Sequence, residues 1–428
     1  MPKDKLTDYS ATNASNTDVG GVNTDEGMLP SAVNNAIREV MTHLKNFAAG
    51  TDGIDVLSLA DDTATNAIKL QAPSSVTTTT TLTLPDGDGT DGQVLSTDGS
   101  GALSFVNTTP APNLIINGDM AVAQRGDVTG ATFAYGGADR YEFISAGGSI
   151  VTLSQDTDAP SNQGFSNSQK IDVTTADTSL AAGDYAIIRQ AIEAQNLQHL
   201  LYGTSEAKKV TLQFWVKSPK TGTHIVEIYH GDANYFNSQS YTIATADTWQ
   251  KVTMTFDGYQ TTSIDNDNGL GMYIHWWLAA GSTFSGGTLT ENTWHNTQAN
   301  RVVGQVNVMD STSNDFYITG VKLEVGSTAT PFQHESYAEN LQKCQRYYVQ
   351  QTTHIQTPIG GSMIVPIYFP TTMRATPTTA NVAAGSTAGG LTVEQIGGLH
   401  TQGAYFQVAS SANSNYRLNR IDEYIAEL

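Results

Sequence analysis

The sequence is poor in cysteine and in charged residues. Cys344 is the single cysteine among 428 residues, so an intramolecular disulfide is impossible and the disulfide-stapled secreted folds are excluded. Charged residues make up 14% of the chain, well below the ~25% of ordinary globular proteins. With 21 basic and 41 acidic residues, the formal net charge is −20, which repels polyphosphate and argues against a nucleic-acid partner.

Long apolar runs and catalytic motifs are also missing. No stretch approaches ~18 consecutive apolar residues, and the opening MPKDKLTDYS has no apolar core, so we expect neither membrane insertion nor a secretory signal. The sequence has no G-x-S-x-G, H-E-x-x-H, C-x-x-C or Walker motif. We therefore expect a protein that is not an enzyme and uses no cofactor, although a glycosidase carboxylate pair cannot be recognised among 41 acids.

One acidic segment can be compared with a calcium-binding loop. Asp and Asn alternate over residues 265–268 before Gly269, but Ile264 stands where the first acidic ligand would be. The pattern favours a solvated turn, and we expect no metal site there.

Near the start, the sequence predicts one helix over residues 31–47. Its apolar residues recur in steps of four and three, at Val33, Ile37, Val40, Leu44 and Phe47. Two heptads are too few to distinguish a coiled coil from an amphipathic helix docked on a partner. We expect residues 1–50 to be an N-terminal region that orders on its partner.

Between residues 51 and 112 the pattern changes to short β-prone pieces. Asp-Gly pairs at 86–87, 91–92 and 98–99 separate several of them, and strands this short are marginal in one chain. Copies from several chains wound together would be stable. We therefore expect a β-rich fibre neck, with a flexible Thr/Gly linker as the alternative.

Residues 113–335 form the largest block, and their pattern is typical of an antiparallel β-sandwich or jelly roll. Apolar and polar residues alternate in 210–217 and 250–257, which gives each strand one buried and one wet face. The same block predicts strands at 223–229, 272–278, 301–309 and 316–325, and a helix within 185–201.

After residue 335 we expect a short helix and then a smaller β domain, together spanning residues 336–428. Ser336 and Glu339 have the spacing of a capping box, and Leu341, Cys344 and Tyr347 follow on one helical stripe. The chain as a whole is predicted to be mainly β, with helices confined to short segments.

Several aromatic residues stand in turns or at strand ends beside Asn, Gln, Asp and Thr. Surfaces that bind sugars combine exposed rings with such polar side chains, because sugars present flat apolar faces and hydroxyl groups. If Trp276 and Trp277 lie in a strand, one faces the core and the other faces outward; for each ring, core packing is the alternative. The candidate receptor-binding residues are Tyr235, Phe236, Tyr273, Trp276, Trp277, Trp294, His295, Tyr405, Phe406 and Tyr416.

Several segments resemble tail fibre proteins of tailed bacteriophages. Residues 16–47, NTDVGGVNTDEGMLPSAVNNAIREVMTHLKNF, are similar to the N-terminal tail-attachment region of such fibres, and residues 84–106 to a β-rich repeat of their necks. Four further segments are similar to a tail-fibre module with a carbohydrate-binding-module-like jelly roll: PNLIINGDMAVAQRG, GADRYEF, FYITGVKLEVGSTATPFQHESYAENLQKCQRYY and FPTTMRATPT.

The resemblance implies an elongated homotrimeric fibre of the virion, made in the host cytoplasm. Its N-terminus would bind phage tail proteins, such as an adaptor, tube or nozzle, and its C-terminal β domains a host cell-surface glycan or protein. A tail-spike-like polysaccharide depolymerase and a purely structural tail adaptor are the alternative functions. The resemblance places tail attachment on Val33, Asn34, Asn35, Ile37, Arg38, Glu39, Val40 and Leu44.

Overall fold

The computed structural model describes residues 3–4, 8–10, 12, 15–25, 27–49, 56–60, 67–71, 81–89, 93–97, 99–107, 111–357, 361–383, 387–388, 391–410 and 416–428. The chain divides into two compact units, Met1–Val106 and Asn107–Leu428. The expectation of a mainly β chain with antiparallel sheets is confirmed. Over the described residues, the helices are all too short or too polar to cross a membrane.

The first unit consists of short strand pairs and one helix. A tight hairpin turns at Gly20 and Gly21, whose φ angles of 55° and 75° suit a type I′ turn. The helix begins with Pro30 at its first position, where a missing N–H costs nothing. The described elements are β1 (Asp18–Val19), β2 (Val22–Asn23), α1 (Pro30–Ala48), β3 (Val56–Ala60), β4 (Ala67–Gln71), β5 (Gln93–Thr97) and β6 (Leu103–Asn107).

One side of α1 packs on the β1–β2 hairpin, and the neighbouring apolar stripe stays exposed within the chain. Ala36 and His43 are buried, and His43 Nδ1 lies 2.6 Å from the Tyr9 hydroxyl oxygen. This apolar stripe consists of Val33, Ile37, Val40, Leu44 and Phe47, whose exposed fractions range from 37% at Val40 to 55% at Ile37. A contiguous apolar surface of this kind is typical of an interaction site.

The second unit contains a sandwich of two six-stranded antiparallel sheets. Sheet I has the order β16-β13-β18-β11-β10-β7, and sheet II has the order β15-β14-β17-β12-β9-β8. The crossovers between non-consecutive strands are typical of a jelly roll. The strands are β7 (Val128–Ala131), β8 (Phe133–Tyr135), β9 (Glu142–Ala146), β10 (Ile150–Asp156), β11 (Ser168–Thr175), β12 (Tyr185–Glu193), β13 (Val210–Lys217), β14 (Gly222–His230), β15 (Tyr235–Ile243), β16 (Gln250–Phe256), β17 (Leu270–Ala280) and β18 (Asp315–Val325).

The main core lies between the two sheets, where the inward-facing residues of each strand meet. In β13, Leu212, Phe214 and Val216 are fully buried in this core. Alternate residues of a strand face opposite sides of its sheet, so Trp215 and Lys217 lie on the outer face of sheet I. Each sheet therefore presents a regular row of side chains on its outer face.

Two local expectations within the sandwich differ from the structure. The helix expected within 185–201 is restricted to the 3₁₀ segment Ala194–Leu200, because β12 continues to Glu193. The strand expected at 301–309 does not form. Gly304, with φ +93°, and Asn307, whose side chain caps the 3₁₀ helix Val308–Asp310, interrupt the extended conformation. The remaining short helices of the sandwich are α2 (Ser282–Ser285) and the 3₁₀ helix Gln298–Asn300.

A short helix and a small β domain follow the sandwich. The helix has the expected capping box between Ser336 and Glu339. One sheet has the order β19-β25-β21, with β22 also on β25, and the other has the order β20-β24-β23. The elements are α3 (Tyr337–Gln345), β19 (Tyr348–Thr357), β20 (Gly361–Tyr368), β21 (Thr378–Ala383), β22 (Thr387–Ala388), β23 (Leu391–His400), β24 (Gly403–Ser410) and β25 (Tyr416–Ile425).

Buried charged side chains join this domain to the sandwich. Glu193 at the end of β12 is fully buried and accepts two hydrogen bonds from Arg346, each 2.7 Å long, and one of 2.5 Å from the Tyr347 hydroxyl. Arg140 lies 3.4 Å from the centre of the Tyr347 ring and forms an ion pair with Glu427. The two ends of the second unit are therefore held together by specific contacts.

Candidate functional site

A groove of about 510 Å³ lies on the outer face of sheet II. Its floor is built by strand alternation: Met272, Ile274, Trp276 and Leu278 of β17 face the core. The residues between them, Tyr273, His275 and Trp277, line the groove. The neighbouring strands add further side chains from the same face, and the lining residues are Tyr185, Ile187, Arg189, Tyr229, Asn234, Phe236, Leu270, Tyr273, His275, Trp277, Phe284, Gln298 and Arg301.

Four rings in the groove lie nearly parallel and form a platform. Tyr229 of β14 lies 5.5 Å from Phe236, 6.1 Å from Tyr273 and 6.1 Å from His275, measured between ring centres, with interplanar angles of 16° to 27°. Tyr273 and His275 are 5.2 Å apart at 26°. Tyr229 and Tyr273 are half-exposed, whereas Phe236 and His275 are buried. The platform thus offers two accessible tyrosines on a fixed base.

An ion pair behind the platform fixes one side of it. Arg301 donates to both carboxylate oxygens of the fully buried Glu227, at 2.8 and 2.6 Å. Burial raises the pKa of Glu227, but the charge and hydrogen bonds of Arg301 and the hydrogen bond from His275 outweigh it and lower that pKa to about 2. The guanidinium lies 3.9 Å from the centre of the Phe236 ring. The charge of Arg301 is therefore balanced by Glu227, and these contacts fix the position of its guanidinium.

The protonation state of His275 follows from the same pair. Its Nδ1 lies 2.9 Å from Glu227 Oε1, and an ionised carboxylate can only accept, so Nδ1 carries the proton. Burial lowers the pKa of His275, opposed by the hydrogen bond and charge of Glu227. The ring is consequently neutral at neutral pH and adds no charge to the groove.

A second ion pair fixes the other side of the platform. Arg189 of β12 donates through Nε to Glu142 Oε2 at 2.7 Å, and its guanidinium lies 4.0 Å from the centre of the Tyr273 ring. Burial raises the pKa of Glu142, and the charge of Arg189 opposes that shift. Each groove arginine is thus neutralised by its own carboxylate, and neither carboxylate lines the groove.

The arrangement suits a flat ligand with many hydroxyl groups. Ring faces accept the apolar face of a sugar, while guanidinium groups and the exposed amides of Asn234 and Gln298 at the rim can hydrogen-bond its hydroxyls. Side chains locked by packing and hydrogen bonds lose little conformational entropy when a ligand binds.

The groove brings together three of the residues selected from the sequence: Phe236, Tyr273 and Trp277. Trp276 is fully buried in the core between the sheets, so it is not a surface residue and is removed from the candidate set. The Trp276–Trp277 pair is divided between the two faces of β17, but Trp277 is itself 1% exposed and packs with Ile187 in a second apolar cluster, so neither indole ring is exposed.

The other candidates lie outside the groove. Tyr235 and Trp294 pack at the core beside Tyr259, and the Trp294 indole donates to the Asp257 carbonyl oxygen at 2.7 Å. His295 exchanges backbone hydrogen bonds with Phe236 and is half-buried. In the small domain, Tyr405 on β24 is half-buried, and the side chains of Phe406 and Tyr416 lie outside the described residues.

Sequence reasoning missed Tyr229, His275, Arg189 and Arg301. A weak signal existed in β14, where Glu227 and Tyr229 alternate with the apolar Val226 and Ile228. The strand order that places β14, β17 and β12 side by side could not be read from one sequence.

The predicted tail-attachment residues all lie on α1. Val33, Ile37, Val40 and Leu44 are exposed on its apolar stripe, and the first three border a groove of about 430 Å³ shared with the β1–β2 hairpin. Asn34, Asn35 and Arg38 are exposed and Glu39 is half-buried. The helix can thus present an apolar surface edged by polar groups.

The acidic segment before Gly269 forms a turn. Asp267 Oδ1 accepts a hydrogen bond of 2.8 Å from the Gly269 N–H, and the Asn268 amide donates to the Arg374 carbonyl oxygen at 2.6 Å. Within the described ranges, no three His, Cys, Asp or Glu side chains come together as metal ligands would.

No family model matches the chain, and no curated protein matches it. Among solved structures, half of the chain is similar to the enzymatically active domain of tailspike protein 4 from bacteriophage CBA120, with 14% identity over 50% of this chain and 21% of that chain and a TM-score of 0.28. The chain therefore spans about a fifth of that tailspike structure.

Two carbohydrate-binding modules are similar over their whole length. The family 11 module from Clostridium thermocellum, solved with a β-1,3-1,4-mixed-linked tetrasaccharide, has 13% identity over 47% of this chain and 99% of its own, at a TM-score of 0.25. The CBM22-1 xylan-binding domain from Paenibacillus barcinonensis has 9% identity over 52% and 99%, at a TM-score of 0.24.

Proposed function

We propose that the chain is a glycan-binding protein whose sandwich binds a neutral saccharide in the groove on sheet II. The observation that carries the proposal is the platform of parallel rings flanked by Arg189 and Arg301, each stacked on a ring and each paired with its own glutamate. Because the arginine charges are already matched, the groove favours hydroxyl-rich neutral sugars over anionic ones.

We further propose that the chain works as a tail fibre of a tailed bacteriophage. In this role α1 attaches the fibre to the tail, its apolar stripe also holds three copies together, and the β domains adsorb the virion to a host cell-surface glycan. The sequence resemblance supports the role, and so does the exposed apolar stripe of α1. Several copies of one weak groove give high avidity on a repetitive surface.

Printed arrays of neutral and acidic glycans test the binding function. Tyr273→Ala removes the half-exposed ring that stacks on both Arg189 and His275, so we expect binding of neutral glycans to fall at least ~10-fold. Tyr368→Ala is the matched control, because Tyr368 is 77% exposed on β20, outside the groove, and it should bind as the wild type does.

Two outcomes would contradict the proposal. If Tyr273→Ala binds neutral glycans as well as the wild type, the groove is not the binding site. If the purified chain releases reducing ends from a glycan it binds, the depolymerase alternative replaces simple binding.

A further inference from the structure

A second groove, of about 370 Å³, lies on the outer face of sheet I, on the opposite side of the sandwich. It runs between strands β13 and β18 and the segment 326–334 that follows β18. Its lining residues are Gln163, Phe165, Gln213, Trp215, Lys251, Gly320, Ala329, Thr330, Pro331, Phe332 and His334. None of them contributes to the first groove.

Buried polar groups hold the segment that forms the outer wall. Lys322 and Glu324 of β18 are 0% and 1% exposed and form an ion pair of 2.9 Å. Both hydrogen-bond to Thr330: the ammonium donates to its hydroxyl at 2.5 Å, and Glu324 Oε1 accepts from its N–H at 2.7 Å. The buried Gln213 amide donates to the Thr330 carbonyl oxygen at 2.6 Å. Because an unpaired buried charge is costly, these contacts keep the wall in one position.

Aromatic rings form the apolar part of this groove. The ring centres of Phe165, Phe332 and His334 are 5.0 to 5.1 Å apart, and the half-buried Trp215 lies beside them. Gly320, with φ +61°, allows their close approach: a Cβ there would lie 2.7 Å from Phe165 and 2.9 Å from Trp215. The glycine thus leaves room for an indole that remains half-exposed.

The charge of the second groove differs from that of the first. Lys251 of β16 is directly opposite Trp215 of β13 in the strand register, so the two side chains are neighbours on one face. Lys251 is exposed, and among the described lining residues there is no Asp or Glu. The cation therefore has no carboxylate within the groove, whereas each arginine of the first groove has one.

We propose that the second groove binds a saccharide that carries a carboxylate, such as a uronic acid or a sialic acid. The sugar ring lies on Trp215, and its carboxylate faces the Lys251 ammonium. The site goes beyond the neutral-glycan function of the first groove and does not depend on it. Because the grooves lie on opposite faces, one short oligosaccharide cannot occupy both.

The test compares variants of the full chain on an array of neutral, uronate-bearing and sialylated saccharides. We expect Trp215→Ala and Lys251→Gln to lower binding of acidic saccharides at least ~10-fold and ~5-fold, since charge-assisted contacts contribute more than neutral ones. Neutral-glycan binding should be unchanged in both. Trp249→Ala is the matched control, because Trp249 is half-buried beside Tyr317, outside the groove. Circular dichroism of each variant checks the fold.

Isothermal titration calorimetry then measures the contribution of the carboxylate to affinity. Trigalacturonate and its carboxyl-reduced form differ only in their carboxylate groups. We expect the wild type to bind the acid about tenfold more tightly than the reduced form. Lys251→Gln should lose this preference, and Lys251→Arg should retain it. The inference is overturned if no acidic saccharide loses affinity in Trp215→Ala, or if only neutral ones do. Loss of neutral binding in Tyr273→Ala with acidic binding intact would support both sites, and absence of neutral binding in the wild type would count against the first groove alone.

Discussion

At the scale of single residues, Glu227 fixes one side of the groove without lining it. One buried carboxylate fixes Arg301 through two hydrogen bonds, sets the tautomer of His275 and accepts from the Ser238 hydroxyl at 3.2 Å. Two of the four parallel rings contact these groups directly, Phe236 through Arg301 and His275 through Glu227 itself. A charge behind the platform therefore helps to fix the surface proposed to bind a sugar.

Glu227→Gln should destabilise the fold and do so in a pH-dependent way. The folded-state pKa of Glu227, about 2, lies below its ordinary value of 4.5. The ionised carboxylate therefore stabilises the fold above about pH 5, and this contribution is lost as the pH falls through about 2. We expect the variant to lose roughly 3 kcal/mol of unfolding free energy at pH 7 and much less at pH 2, measured by urea denaturation.

The exposed Glu206 supplies the control for this change. Glu206→Gln should shift the unfolding free energy by under ~0.5 kcal/mol at either pH. An equal loss at pH 7 and pH 2 in Glu227→Gln would mean that the ionised state of Glu227 does not stabilise the fold.

At the scale of elements, α1 is the helix whose apolar stripe remains uncovered. Ile37 at its centre is 55% exposed, and an aspartate there would place a charge in any interface that the stripe forms. We expect Ile37→Asp to convert the proposed trimer, three times the 45.6 kDa of one chain, into monomers at micromolar concentration, measured by light scattering. Thr42→Asp, on the opposite and exposed side of α1, should leave the trimer intact; a wild-type monomer would contradict the assembly.

Element periodicity explains how much could be predicted. The alternation in β13 and β16 and the capping box of α3 each depend on neighbours in sequence, so the strands and the helix were predictable. In β17, both faces carry large apolar or aromatic residues, so the sequence could divide Trp276 from Trp277 but could not identify which one faces the core between the sheets. The groove also needs Tyr229 and Arg301, which lie 72 residues apart in the chain and meet only through the sheet order.

At the scale of the whole molecule, several copies of a weak groove should matter more than any one groove. For Ile37→Asp, we expect unchanged affinity for a soluble oligosaccharide but about 100-fold weaker retention on a surface coated with the same glycan, because avidity needs linked sites. Calorimetry and surface plasmon resonance measure the two quantities. Equal surface retention by wild type and variant would show that linked sites add nothing.

The ion pair between Arg140 and Glu427 joins residues that lie far apart in the chain. The Arg140 guanidinium is 1% exposed, and 287 residues separate it from its carboxylate partner. A ribosome adds about 5–20 residues per second, so Glu427 is synthesised many seconds after Arg140. This ion pair can therefore form only after translation has passed Glu427, and a chain released earlier leaves Arg140 without that carboxylate.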